Sequence, residues 1–93
     1  MPYVLIIHEV ESYRAWKAIF DGAVQIRKEA GEVSYQLLRY DSDANNVVHF
    51  SQWSSLAAAR AFFESPRLVE IRNQAGVKAP EFIYLEELER GVL

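Results

Sequence analysis

The chain has 93 residues, no cysteine and a formal net charge of −3. That length is one domain, 1–93, whose core is modest, and neither a disulfide nor a thiolate metal site can supplement it. No basic cluster is present, which argues against a nucleic-acid partner.

The opening residues Met1–Pro2–Tyr3 carry no basic segment, and the apolar run Val4–Ile7 stops at His8–Glu9. It is too short for a signal core or a membrane span, so a soluble, cytoplasmic protein with no membrane partner is expected. Tyr3–Val10, rich in β-branched and aromatic residues, reads as a strand. Both of its alternating sets are largely apolar, Leu5 and Ile7 on one side and Val4, Ile6 and Val10 on the other. A strand covered on only one face alternates more cleanly, so cover on both faces is expected.

Ser12 has the chemistry of a helix N-cap and Gly31 that of a C-terminal stop. Between them Tyr13, Trp16, Ile19, Phe20, Ala23, Ile26 and Ala30 recur at helical spacing, which predicts one long amphipathic helix. Val33–Tyr40 returns as a strand, and Asp41–Asn46 is turn chemistry throughout. The next strand, Val47–Trp53, runs straight into a cap at Ser54 or Ser55. The helix that follows carries Leu56, Ala59, Phe62 and Phe63 and is expected to bend or break at Ser65–Pro66, a fresh cap with proline at the first helical position. Leu68, Val69, Ile71 and Ala75 continue its apolar stripe, and Phe82–Leu88 reads as the last strand.

The order β-α-β-β-α-β, with right-handed crossovers, predicts a ferredoxin-like α+β fold: a four-stranded antiparallel sheet with two helices on one face. The other face then shows an apolar patch larger than monomers usually expose. A second copy packed sheet against sheet, a homodimer, is the expected remedy.

Only two histidines occur, His8 and His49, both on predicted strands that lie antiparallel in this order. If Trp53 faces the helices, alternation turns His49 and Ser51 the same way. The small Ser51 then leaves room for a pocket running lengthwise beneath Tyr13, Trp16, Phe62 and Phe63. An imidazole there can take a proton from a phenol or an activated carbon at neutral pH. This makes His49 and His8 the candidate catalytic bases of a small oxygenase or isomerase, and Trp53, Ser51, Trp16, Tyr13, Phe62 and Phe63 the candidate ligand walls. The competing reading is that both histidines are satisfied core residues and the tryptophans packing anchors. No metal site is expected, since Glu9 should point away from His8, and no phosphate loop, nucleophile elbow or dinucleotide glycine pattern occurs.

Three stretches also carry a family resemblance: Val10–Asp21, Val47–Trp53 with Ala57–Ser65, and Arg67–Val69 through Ala75–Val77. Together they resemble the dimeric α/β-barrel superfamily, in particular small members of its antibiotic-biosynthesis-monooxygenase-like branch. The resemblance implies a dimeric α/β barrel. It also implies either an oxygenase that needs no cofactor and acts on a planar, hydrophobic or aromatic ligand, or a non-catalytic dimeric module that binds such a ligand or serves structurally. Haem-degrading members are similar in placing an Asn on the first strand, a Trp at the end of the third and a His on the second helix. Trp53 fits the Trp, but His8 stands near the level of the Asn and Phe62 falls where the His would be. Haem degradation is therefore not expected.

Overall fold

A computed structural model describes residues 1–93. The elements are β1 (Tyr3–Val10), α1 (Tyr13–Gly22), α2 (Val24–Ala30), β2 (Glu32–Arg39), β3 (Asn46–Trp53), α3 (Leu56–Phe63), α4 (Pro66–Gln74) and β4 (Val77–Leu85). The strands form one antiparallel sheet in the order β2-β3-β1-β4. This is the ferredoxin-like α+β topology, with each of its two helices delivered in two pieces. No helix is long and apolar enough to cross a membrane.

The expected long helix divides at Ala23, whose N–H reaches the carbonyls of both Ile19 and Phe20. The Phe20 carbonyl also accepts from Arg27 Nη1 at 3.2 Å, so the break is bridged by a side chain. At the second break Ser65 Oγ donates to the Phe62 carbonyl at 2.7 Å and accepts from Leu68 N at 3.3 Å, with Pro66 opening α4. Ser12 and Ser55 cap α1 and α3 in the same way, through the N–H groups of Ala15 and Ala58. Gly31 ends α2 at φ +120, and a Cβ there would stand 2.6 Å from Ser54 Oγ.

The last strand corrects the expectation. It starts at Val77 rather than Phe82 and stops at Leu85 rather than Leu88. Pro80 lies inside it, next to Ala79 at φ 43 and beside a register shift against β1 between Ile7 and Glu9. An edge strand tolerates this, because a proline there need not donate to a neighbour.

Alternation along β1 and β3 is strict. Val4, Ile6, His8 and Val10 are buried on the helix side, as are Val47, His49, Ser51 and Trp53. Two apolar clusters occupy that side. One gathers Val4, Ile6, Trp53, Ala59 and Phe63. The other gathers Val10, Trp16, Phe20, Val47 and Ala75. On the opposite face Leu5, Ile7, Val48 and Phe50 are only half-buried, Leu38 and Ile83 are exposed, and Tyr3 stacks on Phe50 at 5.0 Å. Glu9, Gln36 and Glu81 rim this apolar centre.

Candidate functional site

The site lies at the seam between the two clusters, where His8 and His49 join Ser51, Glu32 and Arg27 as the buried polar residues of a largely apolar layer. Register pairs Ile6 with His49 and His8 with Val47, so the two imidazoles are diagonal neighbours on one face. They open onto a cavity of about 60 Å³. Trp16, Ile19 and Phe20 of α1 wall it on one side, Leu68, Ile71 and Arg72 of α4 on another, and Phe62 and Phe63 of α3 close one end.

His8 Nδ1 lies 3.4 Å from the Val47 carbonyl, which assigns the proton to Nδ1 and leaves Nε2 as the free nitrogen. Its ring packs against Trp16 at 5.3 Å. Burial lowers its pKa from 6.5 to about 4, with the nearby His49 adding to the shift and the Val47 carbonyl opposing it. His8 is therefore neutral throughout the physiological range.

His49 is held differently. Its Nε2 lies 2.7 Å from Glu32 Oε2, and both side chains are buried. The carboxylate accepts, so Nε2 carries the proton and Nδ1 keeps its lone pair. The only fully enclosed side-chain nitrogen or oxygen without a hydrogen bond is Arg27 Nε. His49 Nδ1 and His8 Nε2 make no hydrogen bond either, and both residues line the cavity. Phe20 meets the His49 ring edge-on at 5.0 Å and Tyr35 does so at 6.1 Å.

Arg27 completes the row. Its Nε stands 2.9 Å from Glu32 Oε1, close enough for an ion pair but not aligned for a hydrogen bond. Its guanidinium lies 3.6 Å above the Phe20 ring, and desolvation lowers its pKa while Glu32 opposes that shift. A second cation, Arg72, reaches the cavity while donating from Nη1 to the Phe63 carbonyl at 3.0 Å.

Of the sequence candidates, His8, His49, Trp16, Phe62 and Phe63 line the cavity, whereas Trp53, Ser51 and Tyr13 do not. Phe63 stands between His49 and Trp53, 6.5 Å and 5.2 Å from their rings, and ends the cavity short of the tryptophan. Ser51 is occupied by the Trp53 indole, whose N–H it accepts at 2.8 Å. Tyr13 stands at the start of α1, 37% exposed. Sequence reasoning did not single out Glu32, Arg27 or Arg72. No group of three or more His, Asp or Glu side chains converges as a metal site requires.

The family model for antibiotic biosynthesis monooxygenase matches residues 10–74. The chain belongs to this family. Solved structures agree on the fold. SnoaB, a cofactor-independent oxygenase from Streptomyces nogalater, superposes with a TM-score of 0.77 at 15% identity over 96% of this chain and 94% of that one. A Mycobacterium tuberculosis protein gives 0.68 at 20% identity, with 99% and 100% covered. A conserved protein of Methanosarcina mazei gives 0.71 at 12% identity, with 94% and 92% covered. At such identities these likenesses carry fold alone. No curated protein sequence matches the chain.

Proposed function

We propose that the chain is a cofactor-independent oxygenase that deprotonates an acidic phenol or activated carbon at His49. The observation that carries this reading is the His49–Glu32 pair at 2.7 Å, on a histidine that lines an apolar cavity and whose Nδ1 makes no hydrogen bond. A base so presented takes the ligand's proton, and the electron pair left behind reacts with dioxygen. For an activated CH₂ that becomes C=O, the ligand supplies four electrons, one oxygen atom enters the product and the other leaves as water. His8, kept neutral by burial and donating from Nδ1 to Val47, offers Nε2 as an acceptor for a ligand hydroxyl.

The cavity volume bears on ligand size. About 60 Å³ holds roughly two waters or one small molecule, against roughly 300 Å³ or more for a drug-sized ligand. On this reading a planar ligand enters by parting α1 from α4, and dioxygen fits the closed form. The same small volume favours a second reading, a dimeric module with no reaction, in which the histidines are core residues.

Both readings include a homodimer through the back of the sheet, supported by the apolar centre formed by Leu5, Ile7, Val48 and Phe50. Oxygen uptake with a panel of acidic polycyclic phenols separates the two. The oxygenase consumes one dioxygen per product and loses turnover in His49→Ala. Turnover unchanged by that substitution rejects His49 as the base.

A further inference from the structure

The chain makes an unusual exchange at the start of β2. Tyr35 pairs with Ser51 and Leu37 with His49, so inward residues of β2 fall on odd numbers. Regular alternation would therefore turn Val33 inward and Glu32 outward. A bulge reverses this. Glu32 pairs with Trp53 and Ser34 with Gln52, leaving Val33 as the extra residue, 57% exposed. The fold thus expels a valine and buries a carboxylate in its place. Gly31, at φ +120 immediately before the bulge, supplies the turn that permits it. Bulges that re-aim one side chain recur beside active sites.

A buried carboxylate is unfavourable unless paired, and this one is paired twice. Oε1 meets the Arg27 guanidinium and Oε2 meets His49 Nε2. We propose that Glu32 is the positioning residue for His49, fixing its tautomer so that Nδ1 keeps its lone pair, with Arg27 as the counter-ion beside the carboxylate. This rests on the reading of His49 as the base. As the proton passes from ligand to Nδ1, the proton on Nε2 stays in place, Glu32 stabilises the imidazolium, and the electron pair remains on the ligand. The other groups facing His49 are His8 from β1 and Tyr35 from β2, with Arg72 from α4 acting on His8.

The test compares the native chain with Glu32→Gln and with the double variant Arg27→Met/Glu32→Gln. The double variant leaves no buried cation unpaired and so keeps the fold where the single one fails. Nitrogen-15 spectra of the imidazoles report the tautomer directly. The native His49 is expected to be protonated at Nε2 alone. In the folded double variant the two tautomers mix, because a glutamine can either accept from or donate to Nε2. Turnover at neutral pH falls by roughly tenfold or more. An unchanged tautomer in the folded double variant overturns the proposal. A tautomer that mixes while no chain, native or variant, turns over any phenol upholds the positioning role and removes the oxygenase reading.

Discussion

Trp53 donates its indole N–H to Ser51 Oγ at 2.8 Å, two residues back on the same face of one strand. The serine hydroxyl in turn lies 3.5 Å from the Val4 carbonyl on β1. The pair ties the most buried large side chain of the core to the sheet beneath it. Ser51→Ala should cost about 1–3 kcal/mol in urea unfolding, because it strands a buried donor. Adding Trp53→Phe should cost less in that background than alone, since the donor is then gone. Strictly additive costs would mean the hydrogen bond contributes nothing.

Ser65 serves two helices at once, capping α4 while donating to the last turn of α3. Ser65→Ala is expected to lower stability by about 1 kcal/mol or slightly more. Ser12→Ala, at an exposed cap with a single 3.3 Å bond, should cost less. Equal losses in thermal or urea unfolding would show that the bond to Phe62 adds nothing.

What the sequence made legible follows from what periodicity can carry. The first strand, the serine caps and the break at Ser65 rest on local chemistry and alternation, and the structure keeps them. The burial of Glu32 was invisible because a bulge breaks the two-residue period at that residue. Arg27 sits beside Ile26, and a helical stripe counts only the apolar neighbour, yet the buried residue of α2 is the arginine. The start of β4 was hidden because Lys78–Ala79–Pro80 is loop chemistry that an edge strand accommodates. The cavity's end at Phe63 is a packing outcome that strand spacing could not supply.

Protonation of His8 should make the protein acid-sensitive in a defined window. In the unfolded chain His8 binds a proton below about pH 6.5, and in the folded chain only below about 4. Between those values the unfolded state holds the extra proton, so stability is full above pH 6.5 and falls as the pH drops toward 4. The loss attributable to this group is roughly 3 kcal/mol at most. Urea midpoints measured from pH 7 to pH 4 should fall less steeply for His8→Leu than for the native chain. Parallel slopes would mean the burial of His8 carries no such linkage.

Association through the back of the sheet can be tested by one charge. Phe50 lies near the centre of the exposed apolar face, stacked on Tyr3 and paired with Leu5 across β1 and β3. At micromolar concentration light scattering is expected to give two chain masses for the native protein. Phe50→Glu should give one, because a like charge from each copy would be forced into an apolar contact without a partner. His49, on the other face of β3, should keep its nitrogen-15 resonances in that variant if each cavity is complete within one chain. A variant that still scatters as a dimer would move the interface elsewhere. The half-exposed face of Leu5, Ile7 and Val48 would then require a different cover.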